Sequence, residues 1–254
     1  MRLESFGITD VGLKRSVNED AFYRADDIGL YLVADGMGGH AAGEVASARA
    51  IEAIVDFVHR HLADDTLTWP FSYERSLSVY ANALLCGIRL ANQQLCAMQQ
   101  ANPELGGMGT TIAALRIADS EGTVAHVGDS RVYRFQDDKL IPLTSDHSWV
   151  NEQVQKKLIS LDDARNHRYR NVITRALGNR FDVEIDVSTV EVKPGDVFVL
   201  TSDGLTGVVE DEVIAETLRT RTSLRECVNH LVDLANMAGG PDNITVVVVE
   251  CLPD

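Results

Sequence analysis

A chain of 254 residues can hold one large domain or two small ones and bury a substantial core. Its 23 Lys and Arg against 38 Asp and Glu give a net charge of −15, which excludes nucleic acid or an anionic membrane as a natural principal partner. Met1 to Gly12 has no apolar leader, no run reaches the ~20 apolar residues of a membrane span, and Cys86, Cys96, Cys227 and Cys251 are too scattered for a zinc or redox pair, so a reduced, cytoplasmic setting is expected.

Ser5 to Val11 reads as an opening strand. The cluster Arg15-Ser16-Val17-Asn18-Glu19-Asp20 that follows fits a solvated turn, or a guanidinium fork placed to pair phosphate oxygens beside acidic groups. From Gly29 to Asp35, Leu30, Leu32 and Ala34 alternate with Tyr31, Val33 and Asp35, so a period-two strand ends on a carboxylate of defined face. Gly36-Met37-Gly38-Gly39-His40 joins it to a helix over Ala42 to Ala63, where Ile51, Ile54, Val55, Val58 and Leu62 recur at helical spacing. Glycines lacking Cβ let a ligand approach the main chain there, although a plain glycine turn fits the same letters. Thr66 to Tyr73 is a loop. Leu77, Tyr80, Leu84, Ile88, Ala91, Leu95 and Met98 predict a second, longer helix that Pro103 and Gly106-Gly107 end.

Thr110 to Arg116, Gly122 to Val127 and Arg131 to Gln136 predict a strand meander, the second strand pattern running on into Asp129. The stretch at about 146–170 is mixed and locally helical, with no core stripe, and reads as a mobile flap or insert. Strands resume over Asp182 to Val192 and from Val197 to Asp203, where Gly204 follows the carboxylate. Helices are predicted over Glu210 to Arg219 and Leu224 to Met237, before Asp242-Asn243 opens the apolar run Ile244 to Val249.

If those last two strands are antiparallel neighbours, Asp203 and Asp242 share one sheet edge. With Asp35 and Asp129 they form a converging carboxylate cluster. Like charges that close raise one another's pKa unless cations neutralise them, and hard ions such as Mg²⁺ or Mn²⁺ prefer such oxygens. The element order predicts an α+β fold of two packed, mainly antiparallel sheets flanked by helices, in a single domain spanning 1–254.

Taken in order, Arg15 to Asp20, Val33 to His40, Met108-Gly109-Thr110-Thr111, Val127-Gly128-Asp129-Ser130-Arg131, Thr201-Ser202-Asp203-Gly204 and Asp242-Asn243-Ile244-Thr245 resemble the motifs of the metal-dependent PPM, or PP2C-type, protein serine/threonine phosphatases of bacteria. The resemblance spans nearly the whole chain. It implies an α-β-β-α sandwich that hydrolyses phosphoserine and phosphothreonine by direct attack of a metal-bridging water or hydroxide, with no phosphoenzyme. It assigns Asp35 as the bridging ligand of two Mn²⁺ or Mg²⁺ ions, the Gly36 carbonyl to one of them, and Asp203 and Asp242 to the other. Glu19 and Asp20 would act through metal-bound waters, Asp129 with Asp203 would hold a third, weaker ion, and Arg15 would bind phosphate. Met37 stands where eukaryotic relatives carry a histidine, so His40 is the nearest general acid; fixing the glycine turn is its alternative role.

The implied partners are phosphorylated Ser/Thr proteins and the bacterial Ser/Thr kinase whose action is reversed, with a monomer as the expected state. A cysteine phosphatase is excluded in its usual form, because no cysteine has an arginine six residues later. A non-catalytic phosphoprotein sensor is the competing class. Loss of a core aspartate would favour it, and Asp35, Asp203 and Asp242 are all present.

Overall fold

Alternating burial along the strands builds two antiparallel sheets. The computed structural model describes residues 1–38, 42–64, 66–160, 163–164 and 167–253. In the first sheet the order is β1 (Arg2–Asp10), β11 (Ile244–Leu252), β10 (Val197–Thr201), β7 (Arg131–Gln136) and β8 (Lys139–Pro142). In the second it is β2 (Asp20–Ala25), β3 (Leu30–Met37), β5 (Ile112–Ala118), β6 (Glu121–Val127) and β9 (Asp186–Glu191), with β4 (Gly109–Thr110) paired to the end of β3.

Period-two alternation then sorts the side chains into layers. Leu30, Leu32 and Ala34 face α1 (Ala42–Ala63) and α2 (Val79–Ala101), packing with Ile54, Leu84 and Ile88. Tyr31 and Val33 face the other way, into a core shared with Phe198, Leu200, Val247 and Val249 of the first sheet. On that sheet's far side, Val246 and Val248 meet Ile214 and Leu218 of α5 (Asp211–Arg219) and Val228 and Leu231 of α6 (Leu224–Met237). Each fully buried side chain of this size contributes about 1.5–3 kcal/mol of transfer free energy, so all three interfaces are substantial. The result is the expected α-β-β-α sandwich. Ser78 caps α2 by accepting from the Ala81 amide, and Ser223 caps α6 by accepting from Glu226.

Several boundaries differ from the sequence expectation. β1 starts at Arg2 and stops at Asp10. β3 does not end at Asp35 but continues through Gly36 to Met37, because β4 pairs with it there. β10 stops at Thr201, and Asp203 opens the one-turn α4 (Asp203–Thr206). β8 has no counterpart in the sequence reading; it is a short edge strand, largely exposed, whose Leu140 alone packs against the core. The 146–170 stretch contains α3 (Trp149–Gln155), and its start is not loose, since His147 and Ser148 are buried.

Candidate metal and phosphate site

Asp35 shares the parity of Tyr31 and Val33, so it points into the seam between the sheets. Asp20 lies directly opposite it in the β2–β3 register. The first sheet meets them from across the seam, since the antiparallel β10–β11 pairing, with Thr201 opposite Val246, brings Asp203 and Asp242 to one edge. Asp129 arrives from the turn after β6. Asp20 and Asp129 are buried, whereas Asp35, Asp203 and Asp242 are partly exposed at the mouth.

The cluster has no internal neutralisation to match its charge. Burial, then Asp20, Asp203, Asp129 and Asp242, hold the Asp35 carboxyl well above the usual carboxylate range. Burial likewise pushes Asp20 up to about 7, opposed by the hydroxyls of Thr245 and Ser202 and reinforced by Asp203 and Asp242. Asp129 also rises to about 7, by burial and then by Asp203 and Asp146. Asp203 is raised by burial and by Asp242. One oxygen each of Asp20, Asp129 and Asp203 is buried without a hydrogen-bond partner. Orphaned carboxylate oxygens converging from two sheets are costly, and they form the donor set that a hard divalent cation takes.

The second-sheet ligand strand is held by hydroxyls. The Asp35 amide donates to Thr111 Oγ1 at 3.0 Å, and the Asp35 carbonyl accepts from the Thr111 amide and from Thr110 Oγ1, both at 2.9 Å. Ser202 and Thr245 each donate to Asp20 Oδ2 at 2.7 Å, which leaves its Oδ1 as the free atom. Gly36 is required by close packing: a Cβ would lie 2.5 Å from the Gly43 carbonyl carbon and 2.6 Å from the Glu19 carbonyl oxygen. Burial raises Glu19, while Arg15 and the Gly43 amide, which bonds it, hold it down.

Arg15 Nη2 donates to Asp242 Oδ2 at 2.7 Å, and the guanidinium remains about half exposed, with 48% of its side chain accessible. Its loop is fixed by Asn243, whose Oδ1 accepts from the Glu19 amide at 2.8 Å and whose Nδ2 donates to the Val11 and Val17 carbonyls at 3.0 Å. Arg15, Glu19, Asp20, Asp35, Gly36, Asp129, Asp203 and Asp242 thus belong to one constellation. His40 lies outside the described residues. Thr111, Ser202, Asn243 and Thr245 had no role in the sequence reading, although each sits in or beside a motif that supplies one of the carboxylates.

A separate group, His126, His147 and Asp186, brings potential ligating atoms within 4.8 Å of one another. Its geometry opposes a cation. The two rings are stacked at 4.5 Å and 23°, so their in-plane lone pairs do not converge, and Arg175 already donates to Asp186 at 2.7 Å.

The protein phosphatase 2C family model matches residues 14–239. The chain belongs to that family. Among curated relatives, the serine/threonine phosphatase stp of Listeria welshimeri is 38% identical over 249 residues, covering 95% of this chain and 93% of the relative. The crystal structure of the Mycobacterium tuberculosis serine/threonine phosphatase PstP/Ppp superposes with a TM-score of 0.88 at 36% identity, covering all of both chains. A PstP catalytic domain in complex with two manganese ions gives a TM-score of 0.84 at 35% identity, covering 99% of each chain. Among the described residues of this phosphatase 2C chain, no helix is long and apolar enough to cross a membrane.

Proposed function

We infer that this chain is a metal-dependent protein serine/threonine phosphatase, acting on phosphorylated Ser/Thr proteins. The observation that carries the reading is the convergence of unpartnered oxygens from Asp20, Asp129 and Asp203 beside the exposed guanidinium of Arg15. Asp35 would bridge two ions, with the Gly36 carbonyl on one and Asp203 and Asp242 on the other. Glu19 and Asp20 would orient coordinated water, and Asp129 with Asp203 would take a third, weaker ion. Mn²⁺ and Mg²⁺ both suit this all-oxygen set, and the two-manganese relative supports the core pair.

When bound, the divalent ions lower the pKa of water and offset charge on the phosphoryl oxygens. The chain's own residues supply the geometry. Asp20, opposite Asp35 on the paired strand, sets the floor of the site. Arg15, anchored on Asp242, offers a planar fork to the phosphate oxygens at the mouth. The leaving alkoxide takes its proton from His40 or from water. The core shared by both sheets supports reading 1–254 as one domain. A monomer in the cytoplasm that reverses a bacterial Ser/Thr kinase completes the proposal.

The test is phosphate release from a phosphothreonine peptide by metal-stripped protein, with and without added Mn²⁺, using Asp203→Asn as control. Release is expected only with Mn²⁺ and only in the unsubstituted protein. A folded, Mn²⁺-loaded protein that releases nothing would instead be a phosphoprotein sensor.

A further inference from the structure

The 146–170 stretch is fastened at its base by the side chains of Asp146 and His147, beside the Ser148 cap of its own helix. Asp146 accepts a two-pronged pair from Arg131, at 2.8 and 2.7 Å. Ser148 caps α3 by accepting from the Asn151 amide at 3.3 Å. Between them His147, only 5% exposed, exchanges two bonds with Gly128. Its amide donates to the Gly128 carbonyl at 2.9 Å, and its Nδ1 accepts from the Gly128 amide at 3.1 Å.

An Nδ1 lone pair used as an acceptor leaves the hydrogen of the neutral ring on Nε2. Nε2 lies 3.3 Å from Asp186 Oδ2, which can accept that hydrogen. Arg175 also approaches Nε2, at 3.2 Å, but a guanidinium only donates, so in this tautomer its bond goes to Asp186 Oδ1. Burial, with His126 and Arg175 alongside, holds the His147 pKa below the usual imidazole value and keeps Nδ1 free to accept. The chain of contacts therefore runs from the Asp186 carboxylate through the imidazole to one backbone amide.

That amide belongs to the residue before Asp129. Gly128 has φ +108°, and a Cβ there would lie 2.5 Å from Thr111 Cγ2, so the turn admits only glycine and fits closely against Thr111, the residue between β4 and β5 that bonds Asp35. On the other side, Ser130 Oγ meets Thr111 Oγ1 at 2.7 Å. Asp129 is thus presented from a turn pinned before and after, with its Oδ1 buried and unpartnered.

We propose that His147 is a positioning residue for Asp129: through Nδ1 it fixes the preceding peptide, and so couples the base of the 146–170 stretch to the third cation site. The proposal rests on the assignment of Asp129 to a third ion made above. His147 is not itself a ligand here, because its ring stacks on His126 and its Nε2 is committed to Asp186. Outer-shell partners of this kind change metal affinity by about 10- to 100-fold when removed.

The experiment is calorimetric titration of metal-stripped, full-length protein with Mn²⁺, comparing the unsubstituted chain with His147→Asn, His147→Ala and Asp129→Ala. A nitrogen-15 NMR assignment of the His147 tautomer in the unsubstituted protein accompanies it. Asn places an acceptor oxygen near the position of Nδ1, whereas Ala removes it. Asp129→Ala is expected to abolish the weak class of sites. His147→Ala should weaken that class about tenfold while leaving the tight class unchanged, His147→Asn should recover most of the loss, and NMR should report hydrogen on Nε2.

A weak class unchanged in His147→Ala but lost in Asp129→Ala would overturn the proposal while leaving the third-ion reading intact. Equal loss in His147→Asn and His147→Ala would also overturn it. A weak class retained in Asp129→Ala would overturn the third-ion reading and the proposal with it. Hydrogen on Nδ1 in the unsubstituted protein would overturn the proposal whether or not any variant folds.

Discussion

Asp20→Asn should stabilise the metal-free protein most at pH 8, less at pH 5, and hardly at all once the pH falls to the ordinary carboxylate value. Asp20 is pushed up to about 7 from an ordinary 3.8, chiefly by burial. Between those values the folded, metal-free chain keeps a proton that the unfolded chain has released. The folded state therefore binds more protons, and stability falls as pH rises through this window. A gap of about three pH units corresponds to roughly 4 kcal/mol as an upper bound. Asp129 shifts in the same direction, and both carboxylates feel Asp203, so the two contributions do not simply add. Asparagine keeps an oxygen for the Ser202 and Thr245 hydroxyls and removes the ionisation. The expected gain at pH 8 is about 2–4 kcal/mol, or roughly 5–15 °C in melting temperature for a chain of this length. Thermal and urea melts in chelator at pH 5, 6.5 and 8 measure it directly. The reasoning is refuted if the unsubstituted protein is equally stable across that range, or if the variant is no more stable at pH 8. Adding Mn²⁺ should shrink the variant's advantage, because the ions stabilise the folded state more where Asp20 can hold their coordinated water.

Arg15→Ala should lower kcat/KM for a phosphopeptide by about 10- to 100-fold, as expected for a charged hydrogen-bond donor worth about 1.5–3 kcal/mol. Calorimetry should still find the tight Mn²⁺ sites; an unchanged kcat/KM would remove the phosphate role. Gly36→Ala should cost about 1–3 kcal/mol or more in folding and weaken Mn²⁺ binding, because its methyl meets backbone at both Gly43 and Glu19. Melts and isotherms matching the unsubstituted protein would mean that the start of α1 can withdraw.

The strands that carry ligands were legible because their faces alternate. Tyr31, Val33 and Asp35 share a parity, and the inverted order at Asp242 already implied an antiparallel partner ending near Asp203. The continuation of β3 through Gly36 was not legible, since a glycine after an aspartate normally marks a turn. Here it marks a place where two other segments touch the strand. The depth of Asp20 was also hidden. Its hydroxyl partners, Ser202 and Thr245, lie 182 and 225 residues away, so no local pattern announces them. The same holds for His147, which sits in a polar run that reads as surface until the turn after β6 supplies its partner.

The loop that displays Arg15 has no ladder of its own and is splinted by two amide side chains, Asn243 and Asn18. Asn18 donates to Thr9 Oγ1 at 2.8 Å and accepts from the Asp20 amide at 3.1 Å. Asn243 grips only main-chain groups, at Val11, Val17 and Glu19, and the Gly240 carbonyl takes the Leu13 and Lys14 amides. Leu13, Lys14, Ser16 and Val17 meanwhile turn outward to solvent. Placement of the guanidinium is therefore uncoupled from the side chains of Leu13, Lys14, Ser16 and Val17. A selection for new peptide preferences can rewrite those four positions while the phosphate-facing fork stays where the backbone puts it.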